Sequence, residues 1–312
     1  MSTSGRVDLQ VQLGALRLAT PIIAASGTFG YGLEFAHLVN LDHLGGFVTK
    51  GISQEPIDGA PSPRLCETPS GMLNAVGLQN VGVEAFATSK LPLLQEYHTN
   101  IIVNVFGYCI EEYVSVIQRL ENAEGIAAYE LNISCPNVKK GGMQFGSDPA
   151  LVKEVVQAAK SVARKRPLWV KLMPLVTDIG LIAKSAETGG ADALTVANTY
   201  PAMAIDFRTG RSRLGNQTGG LSGPAIRPIT VRLVWEAHKA VKIPIVALGG
   251  VETVGDVLEY LAVGASAVQV GTASFTDPAI SERITVQLAE AVNQANVLSI
   301  SELRSKIAVK TG

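Results

Sequence analysis

Short apolar runs rich in β-branched residues recur along the chain, and each gives way to polar residues or glycine. Eight can be marked: residues 21–26 (PIIAAS), 45–51 (GGFVTKG), 101–107 (IIVNVFG), 129–136 (YELNISCP), 168–174 (LWVKLMP), 193–199 (ALTVANT), 244–250 (PIVALGG) and 267–273 (AVQVGTA). Between them lie stretches with helical spacing. In residues 148–164, for example, Leu151, Val155, Val156, Ala159 and Val162 fall on one stripe. Strands alternating with amphipathic helices require right-handed parallel crossovers, and eight such units predict an α/β fold, the (β/α)8 TIM barrel. A doubly wound open sheet competes. The barrel is preferred because the polar residues recur at the same end of every run, and in a barrel those ends converge on one mouth. Residues 1–312 then make a single domain.

Two details extend this outline. Residues 7–18 (VDLQVQLGALRL) alternate around Gly14 and predict a small N-terminal hairpin ahead of the barrel. Residues 52–79 and 200–222 are too long for simple connections, so they predict loops over the C-terminal mouth.

Composition narrows the function. At 312 residues and 47% hydrophobic the chain can bury a large core, while a net charge of −1 argues against nucleic acid or a membrane surface as a partner held by bulk charge. No apolar stretch is long enough to span a bilayer, and MSTSGRVDL lacks the apolar centre of a signal peptide, so a cytoplasmic location is expected. Cys66, Cys109 and Cys135 show no CxxC spacing, and His37, His43, His98 and His238 are scattered, so no metal site is expected.

The candidate chemistry lies at the strand ends. In ELNISCPN, Leu131 and Ile133 alternate with Asn132 and Ser134 until Pro136 ends the ladder, which places Cys135 where strand gives way to loop. A free cysteine is by default a small packing residue. Here Asn132, Asn137, Lys139 and Lys140 surround it, company that packing does not require. The other strand ends offer Ser26, Lys50, Asn104, Lys171, Asn198, Thr199, Gly249, Gly250, Gly271 and Thr272. With almost no carboxylates, this set argues against paired-acid hydrolysis and hard-cation binding. It suits a planar, hydrogen-bonding, anionic ligand, and the glycines after the last two strands suit a cofactor phosphate.

Longer motifs carry a family resemblance: ASGTFGYG (25–32), TKG (49–51), PSPRLCETPSGMLNAVGLQN (61–80), LNISCPNVKKGGMQFGSDP (131–149) and TGGLSGPAIRP (218–228). With the two glycine turns they resemble the catalytic subunit of class 1B dihydroorotate dehydrogenases over essentially the whole chain. The resemblance implies FMN-dependent oxidation of dihydroorotate to orotate in pyrimidine biosynthesis, with Cys135 as general base and hydride transfer to flavin N5. It implies substrate contacts from Lys50, Asn74, Ala75, Val76, Gly77, Leu78, Asn132, Asn198 and Thr199. FMN would be held by Ser26, Lys50, Gly51, Asn104, Asn132, Lys171, Ala197, Gly223, Gly249, Gly250, Gly271 and Thr272. The chain departs from the family pattern at KLMPL (171–175), NTYPAM (198–203) and Ala197.

Such subunits pass electrons to NAD through an iron–sulfur flavoprotein partner carrying FAD and [2Fe–2S], commonly as a heterotetramer built on a homodimer. The residues agree with a need for a partner: no GxGxxG occurs, and three cysteines are fewer than the roughly four a cluster requires. Other readings stay open here. They are a fumarate-linked class 1A enzyme, a dehydrogenase of another dihydropyrimidine, a Schiff-base aldolase using Lys50 or Lys171, and a non-catalytic metabolite-binding barrel.

Overall fold

A computed structural model of the chain describes residues 7–134, 136–137 and 143–310. Eight parallel strands close into a barrel: β1 (Ile22–Ala24), β2 (Gly46–Val48), β3 (Ile101–Val105), β4 (Ala128–Asn132), β5 (Leu168–Lys171), β6 (Ala193–Val196), β7 (Ile245–Leu248) and β8 (Ala267–Val270). Each pairs with its neighbours in sequence, and β8 pairs back onto β1 through Gln269 opposite Ile23. That closing pair decides for the barrel and against the open doubly wound sheet. Seven strands fall inside their apolar runs and β4 starts one residue ahead of its run, at Ala128; each is shorter than its run, because the polar end of the run belongs to the mouth rather than to the ladder.

Helices pack outside. The one over Pro149–Val162 shows why the sequence makes them: the Asp148 carboxylate caps it by accepting from the Leu151 N–H at 2.9 Å, and Pro149 occupies the first turn, where a missing N–H costs nothing. Val152, Val155, Val156 and Ala159 are buried in the main core, with Val162 partly buried beside them, and Leu151 is buried as well. Residues 82–94 wind irregularly, as two short α-helical turns joined by a π-helical turn over Phe86–Lys90.

The N-terminal hairpin forms from Val11–Leu13 and Leu16–Leu18, with Gly14 at φ +60° in its two-residue turn. Gly14 lies against Asp192, just before β6, and the Arg17 carbonyl accepts from the Asn100 side chain, just before β3, at 3.4 Å. The hairpin therefore covers the end of the barrel opposite the mouth, where Leu13 and Leu18 are fully buried.

At the mouth, the two long connections are more than loops. Leu65–Thr68 and Gly71–Asn74 form a hairpin, and Gly71–Asn74 also pairs with Gly219–Ser222 of the other connection, which in turn pairs with Tyr200–Ala202. The result is one four-stranded antiparallel sheet over the barrel. Cys66, Leu73, Ala75 and Leu214 give it a small core of its own.

Candidate functional site

The strand ends and this covering sheet enclose a cavity of about 580 Å³. Ser26, Lys50, Gly51, Asn74, Ala75, Val76, Gly77, Leu78, Asn104, Asn132, Lys171, Ala197, Asn198, Thr199, Gly223, Gly249, Gly250, Gly271 and Thr272 all line it. Thus the structure brings every candidate named from the sequence into one place, except Cys135, which lies outside the described residues together with Lys139 and Lys140. Among the described residues the lining contains no carboxylate.

Its polar groups divide into three sets. The first is a belt on adjacent strands, where Asn104 stands opposite Glu130 and Lys171 lies between Asn132 and Thr195. Lys171 is almost completely buried, and burial pushes its ammonium below the usual lysine range while the Glu130 carboxylate, 4.0 Å away, pulls it back up. Lys50, half-buried at the end of β2, is also lowered, first by burial, and donates to the Gln79 side-chain oxygen at 3.4 Å.

The second set is an amide cluster. The Asn198 side chain donates to Asn132 Oδ1 at 3.2 Å and to Ser134 Oγ at 2.9 Å, while its own Oδ1 accepts from the Thr199 N–H at 2.8 Å. Under the covering sheet, Asn74 donates to the Gly220 carbonyl at 3.2 Å. These bonds fix which side of each amide faces the cavity.

The third set is made of backbone. Gly250 has φ +69°, and a Cβ there would stand 2.7 Å from the Gly223 carbonyl, so only glycine lets these two turns meet. Tyr260 donates its hydroxyl to the Gly249 carbonyl at 2.5 Å and anchors the turn from below. Thr272 ties the β8 end to the covering sheet through Ser222 Oγ at 2.7 Å. Among the described residues the N–H groups of Gly250, Gly271 and Thr272 meet no protein acceptor. Unmatched donors beside a cavity without carboxylates fit a phosphate, and the belt of lysines and amides fits a planar ring with alternating donors and acceptors.

Sequence reading missed several members. Gln79, Ser134 and Ser222 line the cavity without having been singled out. Glu130 lies beneath it, fully buried, and the alternation of β4 carried the signal, since Glu130 and Asn132 are two residues apart and share a face. At the departures from the family pattern, Met173 and Tyr200 are buried, Tyr200 sharing a 3.1 Å hydrogen bond with Thr230, while Leu175 and Met203 are exposed.

Comparison with known proteins decides the family, because the dihydroorotate dehydrogenase family model matches residues 8–292. The chain belongs to the dihydroorotate dehydrogenase family. A Geobacter sp. (strain M21) relative named dihydroorotate dehydrogenase B (NAD(+)), catalytic subunit, is 48% identical over 298 residues, covering 96% of this chain and 97% of the relative. A Solibacter usitatus relative, provisionally named dihydroorotate dehydrogenase A (fumarate), is 51% identical over 296 residues, covering 95% and 97%. The crystal structure of DHODH from Eimeria tenella in complex with ferulenol shares the fold at a TM-score of 0.78 and 22% identity, over 98% of this chain and 90% of that one. Membership of the dihydroorotate dehydrogenases sets aside the Schiff-base aldolase and the passive metabolite-binding barrel.

Proposed function

We propose that this chain is the catalytic subunit of an NAD-linked dihydroorotate dehydrogenase, a single domain over residues 1–312 that binds FMN and oxidises dihydroorotate to orotate in pyrimidine biosynthesis. What carries the reading is a cavity in which, among the described residues, two lysines, several fixed amides and unmatched backbone N–H groups converge and no carboxylate appears. The names of the Geobacter relative and of a 49% identical Pelobacter propionicus relative support the NAD-linked class over the fumarate-linked one.

In this reading the N–H groups of Gly250, Gly271 and Thr272 hold the phosphate, and Gly223 and Gly249 shape the turns around it. Ser26, Gly51, Asn104, Lys171 and Ala197 would hold the ring, and Lys50 and Asn132 would contact both ring and substrate. Bound FMN supplies a hydride acceptor. The amides of Asn74, Asn132 and Asn198 and the Thr199 hydroxyl match the donors and acceptors of a uracil-like ring, and Lys50 offers a cation to the substrate's negative charge. Residues 75–78, which line the cavity, would contact the substrate as well. Oxidation takes a proton from C5 and a hydride from C6. Cys135 takes the proton; its reference pKa of about 8.5 makes it a usable base once cations or N–H groups stabilise the thiolate. The covering sheet excludes water and strengthens each of these contacts.

Electrons leave through a second subunit, an iron–sulfur flavoprotein carrying FAD and [2Fe–2S], in a heterotetramer built on a homodimer of this chain. The location is cytoplasmic, in keeping with the absence, among the described residues, of a helix long and apolar enough to cross a membrane.

The test is an anaerobic assay of the purified chain. It is expected to carry a flavin absorbance that dihydroorotate bleaches, and to reduce an artificial dye without forming NADH. A colourless protein that gains no flavin signal on FMN titration overturns the cofactor assignment. Rapid NADH formation by the chain alone overturns the partner, and rapid fumarate turnover moves the enzyme to the fumarate-linked class.

A further inference from the structure

Glu130 is the one acidic side chain buried at the centre of the barrel among the described residues, with no measurable exposure. Its carboxylate does not line the cavity; it lies one layer below. It accepts from Asn104 Nδ2 at 2.8 Å, Thr195 Oγ1 at 2.7 Å and Gln269 Nε2 at 2.7 Å, and the Lys171 ammonium stands 4.0 Å away. Side chains from β3, β4, β5, β6 and β8 thus meet at one carboxylate. Burying a carboxylate is costly unless charge and hydrogen bonds offset it, and a purely structural centre could be built from apolar side chains at no such cost.

Two of these partners, Asn104 and Lys171, also reach the cavity. An ionised carboxylate accepts hydrogen bonds and donates none, so the Asn104 group that faces it must be the NH2. The amide oxygen then turns toward Gly51 on the cavity wall, where a Cβ on Gly51 would sit 3.0 Å from it. Lys171 is opposed by no other charged group among the described residues, and burial alone would favour its neutral form.

We propose that Glu130 is a positioning residue that keeps Lys171 an ammonium and holds Asn104 with its amide oxygen toward the cavity. It thereby sets, from beneath, one donor and one acceptor that a planar ring meets at the barrel mouth. The identity of that ring as FMN rests on the function proposed above; the coupling of Glu130 to Lys171 and Asn104 does not.

Glu130→Gln keeps the shape, removes the charge and lets the Asn104 amide turn either way. In wild type without ligand, NMR of the lysine ε-carbons is expected to show Lys171 charged through neutral pH. In Glu130→Gln its titration moves to lower pH, and FMN, followed by fluorescence quenching, binds about tenfold or more weakly, the loss of one charge-assisted contact. Glu130→Asp, which keeps the charge, restores most of both. Thr195→Val serves as the structural control, since it loosens the same centre and lowers the melting temperature while leaving Lys171 charged. A folded Glu130→Gln protein with wild-type Lys171 titration and FMN affinity overturns the proposal. So does a neutral Lys171 in wild type near pH 7, a result that needs no variant to fold. Failure of wild type to bind FMN strikes the functional reading instead, and leaves the lysine titration to judge Glu130.

Discussion

At the scale of single residues, reading strand ends recovers the polar contents of the cavity but overlooks the residue below them. Lys50, Asn132, Lys171 and Asn198 were legible because each stands at or just past the end of a strand, and Asn104 because it lies one residue before the end of β3. Glu130 sits inside its run, where a charged residue contradicts burial, and that contradiction was itself the clue. Gln269, inside β8 and bonded to Glu130, was hidden in the same way. Cys135 falls outside the described residues, so its role is a matter for kinetics. Cys135→Ala is expected to retain bound flavin while the rate at which dihydroorotate bleaches it falls by roughly two to four orders of magnitude, the range of general base catalysis. Cys135→Ser keeps part of that rate, and the part grows as pH rises. Stopped-flow bleaching at wild-type speed in Cys135→Ala would give the proton to another residue.

At the scale of elements, all eight strands and the hairpin were legible, because a buried parallel strand needs little more than a short β-branched run bounded by turns. The covering sheet was not. Its strand Gly219–Ser222 is glycine-rich and shows no alternation for a pattern to catch, and its partner Gly71–Asn74 lies far away in sequence. The glycines there answer to close approach instead, since a Cβ on Gly220 would stand 2.1 Å from Thr199 Oγ1. The two turns assigned to phosphate were readable as glycine turns, but the support that Tyr260, far along the next helix, gives the Gly249 turn depends on tertiary packing.

For the molecule as a whole, the buried phenols make a prediction about alkali. Burial raises the Tyr129 and Tyr260 hydroxyls far above the ordinary value of 10.0, and raises Tyr31 and Tyr200 in the same direction. Above about pH 10 the unfolded chain therefore releases protons that the folded chain keeps, and stability falls as pH rises. Lys50 and Lys171, held low by burial, work the opposite way as pH climbs toward 10.5, but they are two against four. Urea unfolding is expected to show stability declining between about pH 10 and pH 11. In Tyr260→Phe the decline should be shallower, by about 1.4 kcal/mol per pH unit for a group so deeply buried. An unchanged slope would place the loss elsewhere. The covering sheet has a consequence of a different kind. Because Gly71–Asn74 and Gly219–Ser222 share one hydrogen-bonded ladder, neither connection can swing clear while the other stays shut. The doorway to the cavity has two leaves on one latch. Deuterium should enter the latched amides of both segments with a single opening free energy, and two distinct ones would show separate leaves. With one latch, arrival and departure of any ligand large enough to need the door are timed by the same ladder, whichever leaf it touches.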